Sequence, residues 1–375
     1  MIDPRLIAVD GPPGSGKTRT ITEHATNEWL EENPAVIVYT NEAANVLNRR
    51  APTLTAGTIY SLSWPYVSPF AKGKLVGSSS NVTYGNRRVH HAFDPALTQY
   101  VKDAPSNRPE YREDALAVAL HAWDGEGEPP FKLNDETPKR ALKFILPIAR
   151  WVEAGCPMPE EKKFRYLAID EAQDMSALEL RASLGMLHES GTAIAYGDPG
   201  QSIFADSKGV AEGALPHYWT MSKTQSGLSK GYRVGDPVAT IASRILWSYF
   251  ERPASTFRAE HKTDILVWDG DTRPVTGLCL GYSRYSVAKA FTRWGLRQTG
   301  VVPNIANADK ELVLSTGHAA KGAEADLVFL LPWSRKALKR VEERDPATLR
   351  LLYVMLTRAR KRVFLPRALK ARLPL

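Results

Sequence analysis

The sequence predicts an α/β protein of two tandem domains, each a parallel sheet flanked by helices. Three observations carry this. The chain opens with a short apolar run (residues 5–10), a glycine-rich loop (11–18) and a segment with apolar residues at helical spacing (19–30). Strand and helix patterns then alternate, the order from which parallel sheets are built. A second alternating set follows a boundary near residues 227–235, and 375 residues exceed what one hydrophobic core usually serves.

Composition narrows the class. With 43% hydrophobic and 24% charged residues, the chain has an ordinary globular make-up. Lysine and arginine total 49 against 41 acids, a net charge of +8, which favours an anionic partner such as nucleic acid. Cys156 and Cys279 lie far apart without metal-ligand spacing, so they read as reduced thiols of a cytosolic-type compartment. No apolar run is long enough to span a membrane, and no signal peptide precedes the first strand, so no membrane partner is expected.

The elements follow in order. Residues 35–40 read as a strand, leading into a helix over 41–50 with Asn41 as its N-cap. Residues 53–58 form a further strand and 59–62 open a helix. From 64 to 161 proline, glycine, serine and asparagine are frequent, with helical pieces at 112–121 and 139–153, which reads as a partly helical insertion. Within it, residues 86–91 are a small basic cluster, read as a solvated loop before a nucleic-acid contact. The sheet resumes at 164–170, followed by a helix to about 188, a strand at 192–196 and a loop rich in glycine and serine. The second domain is expected to carry helices at 237–250, 286–298 and 347–360. Its strands are expected at 264–268, 277–282, 311–315, 326–331 and 363–365. The expected domains are therefore 1–63 with 162–226, an accessory insertion 64–161, and 227–375.

The opening loop carries the first chemistry. Gly11, Pro12, Pro13, Gly14, Ser15, Gly16, Lys17 and Thr18 match G-x-x-x-x-G-K-[ST] between a strand and a helix, the context that makes this pattern a phosphate cradle. Glycines let backbone N–H groups face the phosphates at the positive end of a helix. Lys17 would reach the β- and γ-phosphates of ATP, and Thr18 would hold Mg²⁺. Asp170 and Glu171 stand at the carboxyl end of a later strand. There Asp170 can hold Mg²⁺ beside Thr18, and Glu171 can orient and deprotonate the attacking water. Phosphoryl transfer also needs positive charge on the developing oxygens, for which Arg233 and Arg358 are candidates. A solvated basic face remains the other reading of Arg358, since Arg360, Lys361 and Arg362 follow it.

The motifs in this order resemble those of superfamily 1 DNA helicases, most closely the UvrD/PcrA/Rep branch. They are residues 11–18, 39–44, 57–62, 170–174, 197–204, 231–233, 315–324 and 352–360. The resemblance implies two tandem RecA-like P-loop NTPase domains. ATP hydrolysis in the cleft between them would drive movement on single-stranded DNA, with 3′→5′ polarity. It implies that Lys17, Glu171, Gln201, Arg233 and Arg358 act in catalysis, with Gln201 sensing the γ-phosphate or the attacking water. Tyr232 would stack on adenine with Arg19 opposite, and Gly322 and Glu324 would lie near the ribose. Tyr39, Asn41, Thr58, Tyr60, Phe204, Thr316 and His318 would face single-stranded DNA or a tailed duplex, where aromatic rings offer stacking surfaces. Core packing is the other reading of Tyr39 and Phe204. Replication or repair proteins are the implied protein partners, in the cytoplasm of a bacterial cell, and the short core suits a phage or mobile element.

Four departures from the family pattern stand out. The loop begins at Gly11, leaving no room for an upstream adenine-reading glutamine. Asp206 replaces a customary aromatic, and Gly200 replaces a customary polar residue. The stretch between Arg233 and Ser315 is too short for the large second-domain insertion, so the chain reads as a reduced helicase core. Two rival functions follow: a translocase that strips proteins or needs a partner to unwind, and a nucleotide-switched DNA-binding subunit.

Overall fold

The computed structural model describes residues 2–27, 34–71, 148, 151–152, 154–203, 215–228, 230–250, 258–259, 261–296 and 305–373. The accessory insertion expected at 64–161, with its basic cluster, lies almost wholly outside them. Two compact units emerge. The first comprises Met1–Val9, Thr18–Gly197 and Phe204–Ser226; the second comprises Asp10–Lys17, Asp198–Ile203 and Gly227–Leu375. The glycine loop and the segment after residue 197 thus cluster with the second unit.

The first unit is built on β1 (Asp3–Asp10), β2 (Ala35–Ile37), β3 (Thr55–Gly57), β4 (Phe164–Ile169), β5 (Leu187–Gly197) and β6 (Ser222–Gly227). They form one sheet in the order β3-β2-β4-β5-β1-β6. β2 pairs in parallel with both β3 and β4, and β4 with β5. Helices α1 (Lys17–Asn27), α2 (Asn41–Arg50), α3 (Ile59–Val67), α4 (Ala177–Gly185) and α5 (His217–Thr220) connect the strands. Its core gathers Leu6, Ile37, Trp151, Leu167, Ile169, Leu180 and Tyr218. Each large apolar side chain taken fully out of water contributes about 1.5–3 kcal/mol.

Several boundaries differ from the sequence expectation for local reasons. Thr40, not Asn41, caps α2: its extended backbone lets the hydroxyl accept from Ala43 N at 3.1 Å. The helix expected to reach about 188 stops at Gly185, where a Cβ would land on the buried Cys156 Sγ. β5 accordingly starts at Leu187, which pairs with Phe164, rather than at 192. The glycine- and serine-rich loop expected after the sheet instead supplies β6, an edge strand whose exposed residues give no apolar signal.

The second unit repeats the plan. β8 (Asp236–Pro237), β10 (Lys262–Trp268), β11 (Gly277–Gly281), β12 (Leu312–Thr316), β13 (Ala325–Leu330) and β14 (Ala359–Pro366) form a sheet ordered β12-β11-β13-β14-β10-β8. Every pairing in it is parallel. β7 (Lys230–Gly231) and β9 (Arg258–Ala259) form a small separate ladder. Helices α6 (Val238–Phe250), α7 (Arg284–Arg293), α8 (Arg335–Glu342), α9 (Pro346–Leu356) and α10 (Arg367–Lys370) complete the unit. α9 is buried from Thr348 to Leu356 at the centre of the core. It ends four residues short of the expected 360, so Thr357 and Arg358 form a turn and β14 starts at Ala359. α8 was not expected; Ser334 caps it, accepting from Ala337 N at 3.2 Å. Both units are parallel α/β sheets flanked by helices, the architecture of two tandem RecA-like domains. No helix among the described residues is long and apolar enough to cross a membrane.

Candidate functional site

The glycine loop leaves the carboxyl end of β1, where ligands of parallel α/β sheets bind. Gly14 and Gly16 adopt φ of 73° and 85°, the left-handed region that only glycine enters without strain. A Cβ on Gly14 would also land on Arg233 Cβ. The loop is pinned by Ser15 N donating to Pro12 O at 3.0 Å and Tyr232 N donating to Gly14 O at 2.9 Å. Lys17 is buried, and its Nζ donates to Gly11 O at 2.6 Å and Pro12 O at 3.4 Å. The Ser15 hydroxyl is buried with no hydrogen-bond partner among the described residues. Gly11, Pro12 and Pro13 are buried as well.

In the first unit, Thr18 and Asp170 meet across a long stretch of chain: the Thr18 hydroxyl donates to Asp170 Oδ2 at 2.9 Å. Asp170 Oδ1 accepts from Glu171 N at 2.9 Å, which fixes the carboxylate plane. Glu171 has φ 53° and ψ 38°, left-handed for a non-glycine residue, and Gln173 Nε2 donates to Glu171 Oε2.

In the second unit, Gln201 and Arg358 are both buried and joined, with Arg358 Nη2 donating to Gln201 Oε1 at 3.0 Å. Arg358 Nε donates to Val354 O at 3.0 Å and Nη1 to Ala323 O at 3.2 Å, so backbone carbonyls hold the guanidinium flat. Gln201 Nε2 donates to Asp198 Oδ2 at 2.8 Å, and Lys321 Nζ donates to Gln201 O at 2.7 Å. Burial pushes the Asp198 carboxyl above its usual range. The nearby Lys17 charge and the hydrogen bonds from Gln201, Tyr353 and Gly200 pull it back down. Arg233 pairs through Nε with Glu324, which also accepts from Arg360 Nη1 at 3.3 Å.

Residues 1–206 match the family model described as an AAA domain, and residues 311–365 match the model described as a UvrD-like helicase C-terminal domain. The chain belongs to the AAA-domain family and carries a UvrD-like helicase C-terminal domain. No curated protein matches its sequence. Among solved structures, the fold of this chain resembles the arterivirus nonstructural protein 10 helicase (TM-score 0.45, 14% identity, covering 99% of this chain and 62% of that one). It also resembles the PRRSV helicase (0.46, 15%, 99% and 55%). A third likeness is to the arterivirus nonstructural protein 10 helicase in complex with DNA (0.45, 14%, 99% and 63%). The chain thus spans about three fifths of the length of these proteins.

The remaining expected site residues fall into two groups. Tyr39, Thr58 and Tyr60 line one cleft of the first unit together with Asp170 and Glu179. Tyr39 is 40% exposed, whereas the Tyr60 hydroxyl donates to Glu179 Oε1 at 2.9 Å. Thr58 caps α3, accepting from Ser61 N at 3.2 Å. Asn41 lies exposed at the start of α2. In the second unit, Thr316 is the last residue of β12 and His318 follows it, and Thr316 Oγ1 accepts from Ala319 N at 3.2 Å. Phe204 and Asp206 lie outside the described residues. Tyr232 is 54% exposed, Gly322 is exposed with φ 80°, and Arg19 pairs with Glu23 at 2.6 Å.

The loop residues of the second unit fit phosphate groups, and Thr18 with Asp170 in the first unit fits a divalent cation. The glycine cradle, the buried Ser15 hydroxyl and the Lys17 ammonium resting on loop carbonyls are groups that phosphate oxygens can engage. A hydroxyl and a carboxylate in contact at Thr18 and Asp170 are the oxygen donors that Mg²⁺ prefers. Sequence reasoning did not single out Asp198, Gln173, Lys321 or Tyr353. Tyr353 had a signal: a phenol inside the apolar run of residues 351–356 must find a buried partner for its hydroxyl.

Proposed function

We propose that this helicase hydrolyses ATP with Mg²⁺ and converts turnover into 3′→5′ movement along single-stranded DNA, displacing the complementary strand. The carrying observation is the 2.9 Å hydrogen bond between Thr18 and Asp170, which joins the residue after the phosphate-loop lysine to a strand-end carboxylate. Mg²⁺, when bound, would neutralise charge on the β- and γ-phosphates. Gly11, Pro12, Pro13, Gly14, Ser15, Gly16 and Lys17 bind the phosphates, and Thr18 and Asp170 hold the metal. Glu171 takes the proton of the attacking water, Gln201 orients that water, and Arg233 and Arg358 face the charge that develops in the transition state. Tyr232 and Arg19 flank the base, and Gly322 and Glu324 border the ribose. Tyr39, Asn41, Thr58, Tyr60, Phe204, Thr316 and His318 form the single-strand track, with domains at 1–63 with 162–226, 64–161 and 227–375. The positive net charge supports an anionic track.

The test is ATP hydrolysis with and without single-stranded DNA, alongside displacement of duplexes carrying a 3′ or a 5′ tail. Strong stimulation by DNA is expected, with displacement from the 3′ tail. Lys17→Ala and Glu171→Gln should each lower turnover at least about 100-fold, as loss of a positioned proton acceptor or charge typically does. Near-normal turnover in either variant would sink the assignment of these residues. Displacement from the 5′ tail alone would overturn the polarity, and hydrolysis without displacement would favour a translocase.

A further inference from the structure

Two members of the buried cluster in the second unit, Asp198 and Tyr353, have no part in the reaction as described. Asp198, Gln201, Tyr353 and Arg358 are 2%, 4%, 0% and 0% exposed. Asp198 Oδ2 accepts twice, from Gln201 Nε2 at 2.8 Å and from the Tyr353 hydroxyl at 2.9 Å, while Oδ1 accepts from Gly200 N at 2.9 Å. Beyond Gln201, Arg358 Nη2 donates at 3.0 Å.

The donor and acceptor inventory makes this arrangement directional. A primary amide has one accepting and one donating end. A guanidinium only donates, and an ionised carboxylate only accepts. Arg358 can meet only the carbonyl end of Gln201, and Asp198 only its NH₂ end. The guanidinium, which can only donate, therefore admits one of the two orientations that the amide could take. Tyr353 secures the carboxylate from α9, the helix whose last turn runs into Arg358, so one element holds both ends of the chain of bonds.

We propose that Asp198 and Tyr353 are positioning residues for nucleotide hydrolysis, which orient the Gln201 amide and, through it, the Arg358 guanidinium. This rests on the ATP-hydrolysing reading above. It assigns Tyr353 a role through its hydroxyl alone, because the ring itself is ordinary core of α9. In such buried chains, removing one link leaves its neighbours free to reorient, and the loss is shared rather than added.

The test is a double-variant cycle on the full chain. Tyr353→Phe keeps the ring and removes the hydroxyl; Gln201→Ala removes the amide that the hydroxyl is argued to orient. Tyr353→Phe should lower kcat about tenfold with KM for ATP changed less than about twofold, the pattern of a group felt only in the transition state. In the Gln201→Ala background the same substitution should change kcat less than about twofold. Asp198→Asn, which keeps the shape but turns one acceptor into a donor, should give the same kcat-selective loss and serves should Tyr353→Phe not fold. Losses that multiply in the double variant, a rise in KM at unchanged kcat, or an unaffected kcat would overturn the inference. An unaltered chain that does not hydrolyse ATP would overturn the functional reading instead, so the two failures are distinct.

Discussion

Glu171, which we propose as the proton acceptor, has a strained backbone. Its φ of 53° lies in the left-handed region, which costs a non-glycine residue about 1–2 kcal/mol. Glycine there would relieve the strain but lose about 0.5–1 kcal/mol more conformational entropy on folding. Glu171→Gly should therefore leave stability to denaturant unchanged or raise it by up to about 1 kcal/mol, while removing the carboxylate and with it turnover. Parallel unfolding and ATPase measurements check this, and a destabilised Glu171→Gly would mean that the carboxylate contributes to the fold as well. Gln173, fully buried and donating to Glu171, is the neighbour that keeps the side chain in place despite the strain.

Among the elements, α8 runs against the usual electrostatics. Ser334 caps it, yet its first turn holds Arg335 and Lys336 and no acid. The partial positive charge of a helix N-terminus favours acids there. Lys336→Glu should raise stability by about 0.3–1 kcal/mol, less at high salt, measured by urea unfolding of the two chains side by side.

The same scale shows how much was legible in the sequence. β4, β11 and β13 announced themselves as buried apolar runs, and the strand–loop–helix at β1 and α1 was marked by its glycines and by Lys17. α8 was not legible, because its apolar face is only Ala337, Leu338 and Val341 and its charged residues resemble a loop. β6 was hidden because an edge strand with exposed serine, lysine and glutamine has no alternation to detect. The ends of α4 and α9 depended on tertiary contacts, such as the Cys156 sulfur packed against Gly185, that no local pattern encodes. The meeting of Thr18 and Asp170 was legible from motif spacing. The Asp198–Tyr353 bond was not, since the two residues stand far apart in sequence and belong to different motifs.

For the whole molecule, an excess of 49 basic over 41 acidic residues sets an expectation for nucleic-acid binding. Affinity for single-stranded DNA should fall linearly with salt on logarithmic axes, with a slope of about −0.7 for each phosphate neutralised. Fluorescence anisotropy over a salt series checks it, and a flat response would rule out a phosphate-dominated track. One local feature also constrains the chain as a whole. A side chain at residue 14 would land on the backbone and Cβ of Arg233, which is separated from it by more than half of the sequence. The two positions are therefore not free to drift independently. Any side chain at 14 would have to be met by rerouting the segment that bears Arg233.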